Sequence, residues 1–307
     1  MLGLGTGINK LSAAEAASIA ARNAGSYLLD DYSGAAVAYS LRQLSSTYSG
    51  SSVKVRRASD NVEADIGFAS GELDTAALAS HCGASDGFVS VWYDQANSNN
   101  ATQATAAAQP KIYDGTTGVV TENGKPAVEF DGSNDILINT TLQNSFEGAA
   151  QAFTMLHVAQ TDDTSNFQYS FSLLDGANAT LPQNDQFGLI LANDNKSGAF
   201  IRDYSTSTTS LPKSSAAVGT SQHLNTAVNT GSTLSVYASG TAGDSVSVNY
   251  PALAFDYASV GGRYGGTTPS SDTLWSGKIQ EIIAYASNKS SDRTGIEDNI
   301  NTFYNIY

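Results

Sequence analysis

The chain has 307 residues, of which 41% are hydrophobic and only 14% are charged, against a usual charged share of about 25%. This composition disfavours an intrinsically disordered chain. The 15 basic and 29 acidic residues give a net charge of −14, whereas binding to nucleic acid or to an anionic membrane surface needs a basic face. No run of about 20 apolar residues is present. We therefore expect no nucleic-acid partner and no membrane insertion.

The N-terminal residues predict an attachment segment rather than a targeting signal. Residues 1–10 lack a basic segment followed by an apolar run, so we expect no secretory signal. Ser12 and Glu15 form a capping-box pattern, which predicts a helix from Ser12 to Asn23 with Gly25 as its stop. Such an alanine-rich helix either packs on its own domain or docks on another subunit. We predict an extension, residues 1–34, that attaches to other proteins through its apolar residues Leu2, Leu4, Ile8, Leu11 and Ile19.

The remaining residues, 35–307, predict one antiparallel β-sandwich domain. Short segments rich in aromatic and β-branched residues alternate with clusters of Asn, Gly, Asp and Ser, a pattern typical of sandwiches and barrels. Trp92 and Trp275 lie in or beside such segments and are predicted to be core residues. The predicted strands are residues 53–56, 88–93, 127–130, 153–159, 167–174, 187–192, 199–204, 223–228, 234–237 and 279–285.

A helix is predicted to close the domain. Ser291 can cap it, and helical spacing places four apolar residues on one face, which we interpret as a packing surface. These residues are Ile296, Ile300, Phe303 and Tyr307.

Three stretches of the sequence resemble known sandwich domains. The first joins AYSLR at residues 38–42 to VKVRRASD at residues 53–60, and the second is VWYDQ at residues 91–95 with ATQA at residues 101–104. Together they resemble the catalytic domain of the family B α-L-arabinofuranosidases, which implies a concanavalin A-like jelly roll. The third, WSGKIQEIIAY at residues 275–285, resembles the last strand of laminin-G-like and concanavalin A-like domains.

This resemblance implies that the catalytic carboxyls have been lost. The position of the family's nucleophilic glutamate falls on Gly188, and the position of its acid, an aspartate after two glycines, falls on Arg263. Glycine has no side chain and arginine keeps its proton, so we expect no enzymatic activity. The same pocket would retain Asp185, Arg263 and Tyr264 as candidate glycan-binding residues, because sugars stack on rings and hydrogen-bond to planar polar groups.

Other chemistry has weaker support in the sequence. The carboxylates of Asp185, Asp194, Asp203 and Glu281 lie on or beside predicted strands and leave a hydrolase open as an alternative. The histidines, His81, His157 and His223, are scattered, which disfavours a Ser-His-Asp site or zinc, and His157 is predicted to be a hydrogen-bonded core residue. No cofactor is expected. Structural calcium stays open, with residues 162–163 and 193–195 as the candidate turns.

The combination of features also resembles structural proteins of marine bacterial viruses that carry arabinofuranosidase-like or lectin-like sandwiches. It implies a virion structural protein, an accessory decoration or fibre component displayed on the virion surface as a homo-oligomer. Its partners would be other virion proteins, through residues 1–34, and glycans. The alternatives are a stand-alone glycan-binding adhesion module and, second, an α-L-arabinofuranosidase-like hydrolase.

Overall fold

Segments with period-two patterning form the strands of the protein. The computed structural model describes residues 27–148, 151–176, 185–250, 253–265 and 273–307. The first strands in chain order are β1 (Val37–Ser40), β2 (Val53–Arg57), β3 (Glu63–Ile66), β4 (Phe68–Ala69), β5 (Glu72–Leu73), β6 (Gly87–Trp92), β7 (Ala101–Thr102), β8 (Lys111–Asp114), β9 (Gly118–Val119), β10 (Thr121–Glu122), β11 (Lys125–Pro126), β12 (Val128–Asp131) and β13 (Leu137–Asn139). They are followed by β14 (Phe153–Thr161), β15 (Gln168–Leu174), β16 (Gln186–Leu191), β17 (Ser197–Asp203), β18 (Thr208–Ser210), β19 (His223–Asn229), β20 (Thr233–Ala238), β21 (Thr241–Ser247), β22 (Tyr257–Val260) and β23 (Ser276–Tyr285).

The strands pair antiparallel into two layers that share a jelly-roll-like topology. In one layer β23 pairs with β1 and β12 on one side and with β14 on the other, and β14 continues through β19 and β20 to β21. The same layer extends from β12 through β8, β6 and β2 to β3. The second layer runs β13–β22–β15–β16–β17–β18, and β7 joins β6 to β13. The predicted sandwich is confirmed.

The sequence-based strands are all present, with ends that differ by a few residues at most. The fully buried strand β16 contains an apolar run from Phe187 to Leu191, which made it recognisable. The main apolar core lies between the layers and includes Trp92 and Trp275, both with no exposed surface, as predicted.

Three helices flank the strands: α1 (Leu28–Asp31), α2 (Thr75–Cys82) and α3 (Arg293–Tyr304). Helix α2 was not predicted, because its eight alanine-rich residues carry little apolar periodicity. Asp74 caps it by accepting a hydrogen bond from the Ala77 N–H at 2.9 Å. Two short 3₁₀ turns are Ala106–Ala108 and Leu142–Ser145.

Helix α3 corresponds to the predicted closing helix, with two corrections. Its N-cap is Asp292 rather than Ser291, and the chain leaves the helix at Asn305 in the left-handed conformation. Tyr307 therefore lies beyond the helix and is 50% exposed, so it does not belong to the packing face. Ile296 and Ile300 are fully buried against the outer side of the β23 layer, as predicted.

The predicted attachment segment lies mainly outside the described residues. Its helix at residues 12–23 and all five apolar attachment residues fall in residues 1–26. Of the extension, residues 27–34 are described, and Leu28 there is buried in the apolar cluster beneath α3. The boundary at residue 34 stays a prediction. No described helix is both long and apolar enough to cross a membrane.

Candidate functional site

Gly188 lies on β16 beneath the ring of Tyr169. A β-bulge shifts the β15–β16 register between Tyr169 and Phe171, so that Ser172 opposes Gly188 while Tyr169 opposes Ile190. A Cβ built on Gly188 would overlap Cδ1 and Cε1 of the Tyr169 ring. The ring therefore occupies the space that any side chain at position 188 would need.

Arg263 lies beside the same tyrosine. It follows Gly261, whose φ of +86° favours glycine, and the Gly261 N–H donates to the Ser170 carbonyl at 2.9 Å. The Arg263 guanidinium carbon lies 5.8 Å from the centroid of the Tyr169 ring. Arg263 is 8% exposed and Tyr169 is 2% exposed. The region around Gly188, Tyr169 and Arg263, called the Gly188 locus below, is therefore filled by the protein's own side chains. Gly188 and Arg263 thus both lie against the Tyr169 ring, and the catalytic positions that the resemblance assigns to them stay a prediction.

Asp185 and Tyr264 differ in what they contact. Asp185 accepts the Tyr204 N–H at 2.8 Å through Oδ1 and the Ala254 N–H at 3.0 Å through Oδ2, so its carboxylate joins two segments of backbone. Tyr264 is half-buried and packs edge-to-face on Tyr257, with the ring centroids 5.2 Å apart. Glycan binding by these residues stays a prediction.

The other carboxylates proposed for a hydrolase are each engaged by the protein. Asp194 accepts from Lys213 Nζ at 2.6 Å, and the buried Asp203 accepts from Ser205 Oγ at 2.7 Å. Glu281 is 1% exposed and pairs with Arg42 Nε at 2.8 Å. These contacts are typical of structural carboxylates.

Of the two turns proposed for calcium, the one at residues 193–195 places Asp194 in the ion pair with Lys213, and the one at residues 162–163 is closed by local hydrogen bonds. Asp163 accepts from Ser165 Oγ at 2.6 Å and Asn166 Nδ2 at 2.6 Å, which together with the Ser165 N–H lower its pKa. In the part of the chain that the structure describes, no group of three or more His, Cys, Asp or Glu residues is placed to hold a metal ion.

Two histidines that are 66 residues apart in sequence meet inside the sandwich. His157 Nε2 lies 3.3 Å from His223 Nε2, His157 Nδ1 contacts Ser170 Oγ, and His223 Nδ1 lies 3.2 Å from the Ser221 carbonyl. The Ser170 hydroxyl in turn donates to the Leu189 carbonyl at 3.2 Å, so the histidine pair belongs to a buried hydrogen-bond network. Burial lowers the pKa of His223 to about 4, and burial followed by the charge of His223 lowers the pKa of His157 well below its usual range. The prediction that His157 is a hydrogen-bonded core residue is confirmed.

A separate cleft of about 610 Å³ opens on the outer face of the β23 layer. The row Phe88, Lys111 and Glu129 crosses adjacent strands β6, β8 and β12, as their registers require. The segment that follows β12 forms one end of the cleft. Among the described residues, the cleft is lined by Phe88, Ala106, Ala107, Gln109, Lys111, Glu129, Phe130, Asp131, Asp135, Asp162 and Ser276.

Asp135 is the most buried carboxyl in this cleft, with 7% of its surface exposed. It lies at the end of a turn in which Asp131 Oδ1 accepts the N–H groups of Ser133 and Asn134 at 2.8 and 3.1 Å. Asp135 Oδ2 accepts the Asp131 N–H at 3.0 Å. Burial, and then the charges of Asp131 and Glu129, raise the pKa of Asp135 to about 7. A carboxyl with this pKa is half protonated near neutrality.

Sequence reasoning missed three of these features. The packing of the Tyr169 ring over Gly188 could not be predicted, because the β-bulge that aligns the two residues has no sequence signature. The His157–His223 contact depends on the pairing of β14 with β19. Asp135 carried a usable signal, since Asp-Gly-Ser-Asn-Asp after a predicted strand is a turn pattern, but only the fold places that turn beside Glu129.

Comparison with known proteins supports the resemblance at the level of the fold. Residues 31–154 match the family model for the catalytic domain of alpha-L-arabinofuranosidase B. No curated protein sequence matches the chain significantly. Among solved structures, an arabinofuranosidase complexed with arabinofuranosyl-alpha-1,2-xylobiose superposes with a TM-score of 0.68 at 14% identity over 89% of this chain. A GH54 α-L-arabinofuranosidase soaked with a cyclic sulfate inhibitor gives 0.65 at 14% identity over the same 89%.

The chain is shorter than these enzymes. The match covers 64% of each of these two solved chains, and the same 64% of a Glu-to-Gln variant of a GH54 α-L-arabinofuranosidase soaked with 4-nitrophenyl α-L-arabinofuranoside. At 14–15% identity the likeness concerns the fold. The chain therefore carries a β-sandwich that is similar to the catalytic domain of the α-L-arabinofuranosidases.

Proposed function

We propose that this chain is a catalytically inactive, arabinofuranosidase-like sandwich that serves as a displayed, glycan-binding structural component of a virion. The observation that carries the inactive part is the packing of Tyr169 over Gly188. A glycosidase needs two carboxyls that flank the scissile bond. At the locus that the resemblance assigns to chemistry, one position has no side chain and no room for one, and the other carries a guanidinium.

A hydrolysis assay tests this proposal directly. Purified protein is incubated with 4-nitrophenyl α-L-arabinofuranoside and with arabinofuranosyl-xylobiose, beside an active arabinofuranosidase as positive control. We expect nitrophenol release at the rate of buffer alone, because neither of the positions that match the family's catalytic carboxyls, Gly188 and Arg263, carries a carboxyl group. Saturable turnover above that rate would overturn the proposal. In that event the variants Glu129→Gln and Asp135→Asn would test whether the cleft carboxyls had taken over the chemistry.

Glycan binding is supported by Asp185, Arg263 and Tyr264, of which Tyr264 is the aromatic residue and is half-buried. Weak sites would suffice on a multi-copy particle, because avidity multiplies low affinities. We expect a multimerised form of the protein to be retained on a glycan array and Tyr264→Ala to reduce that retention several-fold. Tyr307→Ala, an exposed tyrosine elsewhere, is the matched control. Equal retention of both variants would refute a role for Tyr264.

Display on a virion rests on the resemblance to virus structural proteins and on the acidic composition. Mass spectrometry of purified particles would test it, with peptides of this chain expected in many copies per particle. Recovery only from the soluble fraction would favour the stand-alone adhesion module instead.

A further inference from the structure

The cleft over Phe88 has the dimensions and chemistry of a binding site of its own. Its volume of about 610 Å³ lies within the range of roughly 300–1,000 Å³ that small-ligand pockets occupy. It lies on the outer face of the β6–β8–β12 strands, and its lining includes neither Gly188 nor Arg263. The cleft therefore involves residues that the proposed glycan-binding function does not use.

The lining of the cleft is unbalanced in charge. The lining includes four acidic residues, Glu129, Asp131, Asp135 and Asp162, and one basic residue, Lys111, while the Arg56 guanidinium lies at the edge of the cleft against Phe88. Lys111 already pairs with Asp86 at 3.1 Å and with Asp114 at 3.5 Å, and neither of these partners lines the cleft. The carboxylates of the cleft consequently lack a full counter-charge within the site.

The environment of Asp135 supports a binding site independently of how many acidic residues line the cleft. Its side chain is more than nine-tenths buried and lines the cleft, yet among the described residues only Oδ2 has a hydrogen-bond partner, the Asp131 N–H. Its other oxygen, Oδ1, is therefore available to a ligand in the cleft. The pKa of Asp135, about 7, leaves this carboxyl about half protonated near neutrality, even with Lys111 nearby.

Phe88 supplies the apolar wall. Its half-buried ring lies 5.1 Å from the Arg56 guanidinium carbon and 5.9 Å from Lys111 Nζ, which hold it at the edge of the cleft. Aromatic rings pack against the C–H faces of sugar rings, while carboxylates accept charge-assisted hydrogen bonds from ammonium groups.

We infer that this cleft binds a sugar that carries a protonated amine, with Phe88 against the sugar ring and the carboxylates of Glu129 and Asp135 on the ammonium. A neutral sugar would leave the carboxylates without counter-charge. An anionic sugar would be repelled by them.

A matched pair of ligands tests this inference. Calorimetric titration compares the β-1,4-linked disaccharide of glucosamine with its N-acetylated counterpart, which has the same rings but no charge. We expect the amine form to bind at least ten-fold more tightly and its affinity to fall as salt is raised. Glu129→Gln should weaken its binding at least five-fold, and Phe88→Leu should weaken both disaccharides.

Asp298→Asn removes one exposed carboxylate from α3, far from the cleft, and should leave affinity unchanged. Equal binding of the two disaccharides, equal effects of Glu129→Gln and Asp298→Asn, or no binding at millimolar concentration would each overturn the inference. None of these results changes the expectation for the hydrolysis assay. Tyr264→Ala, in turn, should not alter this titration. Each of the two proposals can therefore be refuted without refuting the other.

Discussion

At the scale of single residues, the neighbouring Tyr169 ring determines how Gly188 is packed. Glycine in a central strand normally weakens the strand, because it has no side chain to pack. Here the Tyr169 ring fills the space and joins a small apolar cluster with Ile190 and Phe200. The sequence identified Gly188 and Arg263 as departures from the family pattern. It could not reveal that a ring had replaced the missing side chain, since that depends on a local shift in strand register.

Gly188→Ala should destabilise the protein, because its Cβ must displace the Tyr169 ring. Overpacking of this kind costs about 1–3 kcal/mol of unfolding free energy, measured by urea denaturation. Gly67→Ala is the control, since a Cβ there meets no atom within 4 Å, and its effect should stay within about 0.5 kcal/mol. Tyr169→Leu should recover part of the loss in a double-mutant cycle. Equal stability of both alanine variants would contradict the packing argument.

At the scale of elements, one buried ion pair joins three parts of the fold. Glu281 on β23 accepts from Arg42 Nε at 2.8 Å and Nη2 at 3.0 Å, and from Ser40 Oγ on β1 at 2.7 Å. Tyr304 of α3 lies 3.3 Å from the same carboxylate. This cluster joins α3 to the strands by polar contacts, within an interface that is otherwise apolar.

Glu281→Gln should therefore cost more than the replacement of an exposed partner. It leaves the Arg42 guanidinium, which is 7% exposed, without its counter-charge, and we expect a loss of about 3–5 kcal/mol in urea denaturation. Glu72→Gln breaks the half-exposed pair with Lys125 and should cost at most about 1 kcal/mol. Similar losses in the two variants would show that the cluster adds nothing beyond a surface pair.

The elements themselves differed in how far the sequence predicted them. Strands such as β16 and β23 were predicted because their apolar runs are local signals. Short strands such as β7 and β9 have only two residues each and exist because longer neighbours offer them hydrogen-bonding edges. For the same reason the cleft over Phe88 had no sequence signature, since it assembles from segments that are adjacent only across the sheet.

At the scale of the whole molecule, buried titratable groups make opposite contributions to the pH dependence of stability. His157 and His223 have pKa values below the unfolded value of about 6.5, so the unfolded chain binds more protons and stability falls as pH drops from 6.5 towards about 4. For His223 alone this is on the order of 3 kcal/mol. Asp135 has the reverse sign, because its pKa is raised from 3.8 to about 7 and the folded chain binds the extra proton. Its contribution makes the protein less stable as pH rises from about 4 to 7.

Asp135→Asn should separate these contributions. The variant lacks the cost of ionising a buried carboxyl, so it should be more stable than the parent near pH 7, and this gain should shrink towards zero near pH 4. After allowance for solvent screening we expect a gain on the order of 2 kcal/mol at pH 7. Thermal unfolding at half-unit pH steps measures it, with Asp298→Asn as the control for net charge. A gain that is independent of pH would contradict the raised pKa of Asp135.

The position of β23 has a consequence for how the protein is made. This strand is the last in chain order, yet it lies between β14 on one side and β1 and β12 on the other. During translation, more than two hundred residues emerge before residues 276–285 can join them, and until then β1 lacks the strand that it pairs with along its length. The nascent chain must therefore carry open, apolar strand edges on the ribosome, where they are vulnerable to pairing with other chains. We expect its yield in cells to depend on chaperones that shield such edges until synthesis reaches this strand.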